Sequence, residues 1–324
     1  MLFRKKPNLI VIIMDGTRID ATEKVPYYQE LKKDSAYFSS LITYGPYTIA
    51  SLHSLFSGMP GNMNGVNGYY KAYNFDKEGC YTLAQYLKDA GYYTEGDFLN
   101  EDMAPHQGFD RFRYHDEFKD NLLLRHSEIL QRIKDKKPFF LFLHYTLIHT
   151  KLVENVARKY EDFSQDYFSN KKKNFENYVE WTRQGSEYLK SIIGKIKSLG
   201  LYENSIILVL SDHGSSVGDR IGEKMYGSYL YDYTIRCFMY AIGKGIPKGM
   251  HFNSIIRNID ILPTTLDMLK IKPRENYKKI IGKSFLPFFS GKIDERHAYS
   301  ETGGLGGPTP SPEKHNVKCI RTDK

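Results

Sequence analysis

The sequence predicts an α/β protein with a doubly wound, mostly parallel central sheet and helices on both faces. Short runs that are apolar on both faces, amphipathic segments between them, and ionisable residues just beyond the apolar runs all point that way. NLIVIIM (8–14), PFFLFLHY (138–145) and SIILVLS (205–211) are rich in Ile, Val, Leu and Phe, as strands covered on both sides must be. RCFMYAIG (236–243) has the same character.

The first run follows MLFRKKP, a basic start that superficially resembles a signal peptide. It ends on Asp15 after only a few apolar residues and has no small-residue cleavage site, so it reads as a buried first strand. Next, TIASLHSLFSG (48–58) reads as a helix behind a Gly-Pro turn, with Thr48 as its N-cap on the simplest reading. YTLAQYLKDAGY (81–92) is amphipathic and closes at Gly91. Residues 151–180 are polar and aromatic, and are expected to be an irregular insertion over the site. The segment from Asn177 to Leu199 carries Val179, Leu189, Ile192, Ile193 and Ile196 at helical spacing, and IDILPTTLDMLKI (259–271) is a further helix. Strand and helix alternate, which is the pattern of wound α/β folds. Residues 1–292 are expected to form the catalytic domain. Residues 293–324 are expected to form a strand-rich C-terminal element, with strands in HAYSETG and VKCIRTDK, that is incomplete at Lys324.

Composition narrows the function. The chain has 324 residues, 41% of them hydrophobic, enough for a large core, and a net charge of +8. The basic residues are scattered apart from Lys171-Lys172-Lys173, which suits a small anionic substrate and gives no nucleic-acid patch. The three cysteines, Cys80, Cys237 and Cys319, are far apart and form neither a disulfide framework nor a metal motif. No apolar stretch is long enough to span a bilayer, so a cytoplasmic protein without a membrane span is expected.

Ligands of open α/β sheets bind beyond the carboxyl ends of the strands. The first strand runs into Asp15-Gly16 and the third into Ser211-Asp212-His213-Gly214. Asp-Gly alone is an ordinary turn. Asp-His directly after a buried strand places a carboxylate beside an imidazole, the donor set of a divalent cation. Thr48 then acquires a second meaning, because a hydroxyl at a helix N-terminus sits in a positive field and is a candidate nucleophile.

These segments together resemble the sulfatase-like branch of the alkaline phosphatase superfamily. NLIVIIMDGTRID resembles its opening metal strand, PYTIASLHSLFSG its nucleophile segment, and GYYTEGDFLNEDMAPHQGFDRF its G-Y-x-T to G-F-D-x-F stretch. PFFLFLHYTLIHTKL, GLYENSIILVLSDHG and NIDILPTTLDML follow in the family's order. The resemblance implies one divalent ion held by Asp15, Thr48, Asp212 and His213, with Mn or Zn favoured by the nitrogen donor and Ca also compatible. It implies that Thr48 is the nucleophile, that His149 contacts the substrate oxyanion or leaving group, and that Asn100 lies near the substrate. His144 is expected to pack or make a structural hydrogen bond, and His106, His115 and His126 receive no role.

Departures from the family refine the expectation. Sulfatases need a Cys or Ser that is oxidised to formylglycine, with Pro and Arg at set offsets, whereas this chain has Thr48, Ala50 and Leu52. The paired Asp at the first strand end is Asp15-Gly16, and the Lys-x-His pair before G-F-D is absent. The implied activity is a metal-dependent hydrolase or transferase of phosphate esters, diesters favoured, acting through a phospho-threonine. Sulfuric ester hydrolysis and a degenerate binding or scaffold protein are the alternatives.

Overall fold

The computed structural model describes residues 6–136, 138–302 and 316–322. Its strands are β1 (Asn8–Met14), β2 (Ala36–Ile42), β3 (Tyr93–Phe98), β4 (Arg111–Tyr114), β5 (Phe139–Tyr145), β6 (Ser205–Leu210), β7 (Arg236–Gly243), β8 (Met250–Phe252), β9 (Ile256–Arg257), β10 (Ala298–Glu301) and β11 (Lys318–Arg321). Among the described residues, nine form the central sheet in the order β4-β3-β5-β1-β6-β7-β2-β8, with β9 also on β2. β1 lies in the middle, parallel to β5 and β6, with every residue buried.

β7 has the apolar character expected of a central strand, yet it runs antiparallel to both β6 and β2. The segment between β6 and β7 contains no crossover helix to return the chain to the other sheet edge, and parallel pairing requires one. It stays at the carboxyl edge of β6, held there by Ser211 N–H to Phe238 O and Gly214 N–H to Thr234 O (2.8 Å).

The alternation of side chains assigns the two faces. Leu9, Val11 and Ile13, with Phe140, Phe142, Leu208 and Leu210, pack into one core. Ile10, Ile12, Leu141, Leu143, Ile207 and Val209 pack into the other. Helices Thr48–Ser57, Leu83–Asp89 and Ile261–Leu269 cover the first face, through Leu52, Leu55, Phe56, Leu83 and Leu262. Helices Leu122–Ile133 and Lys171–Ser198 cover the second, through Ile129, Leu130, Leu189 and Ile192. Every helix with such an apolar stripe therefore has a sheet face to bury it on.

Two local expectations change. The 151–180 region is mostly helical: helix Leu147–Leu152 passes into a π-type turn at Val153–Ala157, and the long helix begins at Lys171. The lysine triplet is thus its exposed first turn, and none of residues 151–180 lines the cavity beside Thr48. Thr48 is also not a cap. The N-cap is Tyr47, at φ −158°, and no side chain caps the helix, which closes on Gly58 in the left-handed region.

β10 and β11 form an antiparallel pair at the positions read as strands, while residues 303–315, 323 and 324 lie outside the described residues. This pair docks beside the nucleophile segment through Tyr44, whose carbonyl accepts from Glu301 N–H (2.8 Å) and whose hydroxyl donates to the Glu301 carboxylate (3.0 Å). Cys80, Cys237 and Cys319 are free. No described helix is long and apolar enough to cross a membrane.

Candidate active site

The face that carries helix Thr48–Ser57 also receives the strand ends. Continuing each strand's alternation one step beyond Ile13, Leu210 and Phe142 gives Asp15, Asp212 and His144, all on the Thr48 side. Asp15 prolongs the sheet ladder, donating its N–H to Tyr145 O (3.0 Å). The chain then turns at Gly16, at φ +63°, where a Cβ would also lie 3.2 Å from Ser215 Oγ. Gly16 N–H donates to Asp212 Oδ1 (3.1 Å), locking the two strand ends together. A second aspartate here would be both strained and crowded, which accounts for Asp-Gly in place of paired Asp.

Asp15, Asp212 and His144 each bring one ligand atom within 4.8 Å of the others. Thr48 Oγ1 donates to Asp15 Oδ2 (3.3 Å) and lies 3.2 Å from His213 Nε2. His213 Nδ1–H donates to Gly214 O (2.8 Å), which leaves the Nε2 lone pair facing the cluster, 3.6 Å from Asp212 Oδ2. Among the described residues, Asp15 Oδ1 and Asp212 Oδ2 are buried without any hydrogen-bond partner. Two orphaned carboxylate oxygens, an imidazole lone pair and a hydroxyl facing one another in a buried site are costly without a cation and suited to one. The residues expected as ligands therefore fit a divalent ion.

The two carboxyls are differently poised. For Asp15, burial opposes ionisation, but the His144 hydrogen bond and the neighbouring imidazoles hold it below the usual carboxylate range. Burial raises Asp212, and the Asp15 charge adds to it. Of the two roles expected of His144, packing or a structural hydrogen bond, the structure shows the hydrogen bond. It accepts Leu99 N–H on Nδ1 (3.4 Å), so Nε2 carries the proton and donates to Asp15 Oδ2 (2.7 Å). That bond orients the carboxylate, as an outer-shell partner does at a metal site.

A cavity of about 320 Å³ opens beside Thr48, and His149, Asn100, Glu117, Phe118, Tyr69 and Tyr226 are among its walls. His149, on helix Leu147–Leu152, donates Nδ1–H to Glu117 Oε2 (2.7 Å). Burial disfavours its charged form, but the Glu117 bond and the Asp15 charge raise His149 above the ordinary histidine range. Asn100 sits exposed on the rim, its Oδ1 accepting Asp102 N–H (2.9 Å). No lysine or arginine lines this cavity among the described residues.

Glu117 and Tyr226 escaped sequence reasoning because both lie on connecting segments with no periodic signal. The Tyr226 ring lies tilted against the His213 ring, centroids 4.7 Å apart, and reaches it through a loop built on Glu223. The Glu223 carboxyl accepts Ser228 N–H (3.2 Å), Tyr229 N–H (2.9 Å) and the Tyr233 hydroxyl (2.7 Å). Burial nonetheless pushes it from 4.5 up to about 7. A raised folded-state value means that its contribution to stability is intact below the unfolded value and lost as pH rises to 7. The loss amounts to about 3 kcal/mol. Melting temperatures of wild type and Glu223→Gln should therefore coincide near pH 4.5, with the variant higher at pH 8. Parallel curves across this range would refute the assignment.

A second buried group, Asp97, His115 and His126, also has ligand atoms close together. Its donors and acceptors are already used: Asp97 takes Arg125 Nε–H (2.9 Å), His115 (3.0 Å) and His126 (3.1 Å). The other ring nitrogens meet Thr146 Oγ1 and the Tyr188 hydroxyl. A guanidinium on the carboxylate disfavours a cation, so this is a hydrogen-bonded network.

Comparison with known proteins agrees with the fold. The low-salt glycan biosynthesis sulfotransferase Agl7 of Haloferax volcanii is 25% identical over 264 residues, covering 80% of this chain and 60% of its own length. The chain thus spans about three fifths of that relative. A phosphonate monoester hydrolase from Silicibacter pomeroyi superposes with a TM-score of 0.71 at 15% identity, covering 98% of this chain and 85% of that one. A 2-O GAG sulfatase gives 0.74 at 17% identity, covering 98% and 81%. The family model described as Sulfatase matches residues 7–271. The chain therefore belongs to the sulfatase family.

Proposed function

We propose that the chain is a metal-dependent hydrolase or transferase of phosphate esters, with diesters as the favoured substrates and Thr48 as the nucleophile. One observation carries this reading: the Thr48 hydroxyl stands 3.2 Å from His213 Nε2 and 3.3 Å from Asp15 Oδ2, beside two unpartnered carboxylate oxygens. Threonine cannot become formylglycine, the group on which the usual sulfatase route depends.

Asp15, Thr48, Asp212 and His213 would hold one divalent ion, Mn or Zn in preference to Ca because of the imidazole. Such an ion would polarise the ester and lower the pKa of the hydroxyl bound to it. Thr48 Oγ1, its proton released to solvent, attacks phosphorus, and a P–O bond to threonine forms as the P–O bond to the leaving group breaks. The later attack of water or alcohol frees Thr48 again as the alkoxide. The N-terminus of helix Thr48–Ser57 supports the negative oxygens. His149 gives a proton to the leaving oxygen and recovers it from the water or alcohol that releases Thr48. Asn100, on the rim, is placed to contact the ester's substituent.

Among the described residues no lysine or arginine lines the cavity and the His149 charge is already met by Glu117, so the cavity offers little to a second negative charge. That favours a singly charged diester over a doubly charged monoester. Sulfate esters are also singly charged, and the names of the sulfotransferase and the GAG sulfatase favour them. The nucleophile decides between the two. A sulfated threonine has no geminal hydroxyl from which to expel sulfate, so it would need direct hydrolysis. Initial rates with bis(nitrophenyl) phosphate should exceed those with nitrophenyl sulfate by at least ~100-fold, the equivalent of about 3 kcal/mol. Faster sulfate release from protein made without any modifying enzyme would overturn this.

A further inference from the structure

We propose that Glu117 is a positioning residue that holds the His149 ring with Nε2 toward the ester, and so makes His149 the proton donor to the leaving oxygen. This rests on the ester-cleaving reading of the site. Glu117 Oε2 accepts His149 Nδ1–H at 2.7 Å and the Thr150 hydroxyl at 2.8 Å. Bonds from two consecutive residues to one oxygen fix the carboxylate against the helix and leave the ring little freedom to flip. The side chains are 10% (Glu117) and 14% (His149) exposed, and among the described ion pairs His149 is the cation that meets Glu117. A carboxylate this buried needs a charged partner, and the imidazolium supplies it.

The mounting beneath the pair is rigid. His115, two residues before Glu117, places Nε2 at 3.3 Å from the hydroxyl of Thr146, the N-cap of the helix that carries His149. Asp97 holds the other His115 nitrogen at 3.0 Å, and Arg125 clamps Asp97. The segments bearing donor and acceptor are thus joined through His115, itself part of the cavity wall.

With Nδ1 committed, Nε2 is the edge left for the cavity that Thr48 also lines, and it makes no hydrogen bond among the described residues. In the first step the Nε2–H proton passes to the leaving oxygen as its bond to phosphorus breaks, leaving neutral imidazole. In the second step the attacking water returns a proton to Nε2. The charged groups facing the ring are Glu117 from the turn after β4, Asp15 from the end of β1 and Asp212 from the end of β6, with Tyr226 beside it.

The test compares wild type with Glu117→Gln, which keeps the shape and an acceptor for Nδ1–H but removes the charge. Methyl aryl phosphate diesters of graded leaving-group acidity serve as probes. A nitrophenolate leaves without a proton, so its rate should change less than ~3-fold, whereas phenolate release should fall ~100-fold or more, the usual yield of general acid catalysis. Nitrogen NMR of the zinc-loaded proteins at pH 7 should show both His149 nitrogens protonated in wild type and only Nδ1 protonated in the variant. A uniform loss across the series, or a loss confined to KM, would overturn the proposal, as would identical nitrogen spectra. If neither protein cleaves any ester while the spectra differ as expected, the ester reading fails and the positioning by Glu117 stands.

Discussion

Thr48→Ala should fold, bind its cation and lose turnover by at least ~10³-fold, as expected for removal of a nucleophile. The hydroxyl could matter only to stability if it were a cap, and it is not one. Tyr47 occupies the N-cap position, and no side chain caps this helix. Alanine is the best helix former, and Asp15 Oδ2 keeps its 2.7 Å bond from His144 when the hydroxyl goes. The stability change should therefore stay below about 1 kcal/mol. Thr48→Ser restores a hydroxyl at the same place and should retain turnover within ~100-fold, the loss reflecting only its freer rotamers. Trapping adds a separate readout. Wild type quenched in acid during turnover should carry one phosphoryl mass on the Thr48 peptide, and the alanine protein none. An alanine variant that still turns over with its ion bound would leave Thr48 as a structural residue.

The site was legible where strand alternation reached it. Asp15 and Asp212 continue the parity of Ile13 and Leu210, and the same count from Phe142 reaches His144. That count is available in PFFLFLHY, and the structural hydrogen bond expected of His144 is the one it makes to Asp15 Oδ2. Glu117 is different. It bonds a histidine thirty-two positions away through a turn, and turns carry no period from which the partner could be read. Tyr226 is hidden for the same reason, on a loop organised by one buried carboxylate. The antiparallel direction of β7 was equally hidden, because an apolar run shows that a strand is covered on both faces and says nothing of its sense. The helical character of 151–180 was masked by its polar, aromatic surface, since only part of each helix meets the core.

Removing the ion should lower stability, and Asp212→Asn should separate that effect from packing by reversing the order of the two proteins. In the ion-free wild type, two buried carboxyls approach within 4.8 Å, with Asp15 Oδ1 and Asp212 Oδ2 unpartnered. Close like charges in a buried site destabilise the fold. Asn at 212 keeps the shape and keeps an oxygen for Gly16 N–H, but removes one charge, so without metal the variant should melt at or above wild type. With metal the order inverts. An ion at a thousand times its dissociation constant stabilises by about 4 kcal/mol, roughly 6 °C for a chain of this size. The variant, short of one negative ligand, should gain little of this. Calorimetric titration of chelator-treated protein with Zn or Mn should give one site in wild type, and an affinity at least ~100-fold weaker in Asp212→Asn. Equal affinity in both would move the ion elsewhere, and Asp97→Asn would then ask whether the second buried cluster holds it. In that cluster a guanidinium already occupies the carboxylate at 2.9 Å, so a cation entering it must first displace Arg125. No such displacement is needed between Asp15 and Asp212, where the unpaired oxygens already face the imidazole lone pair.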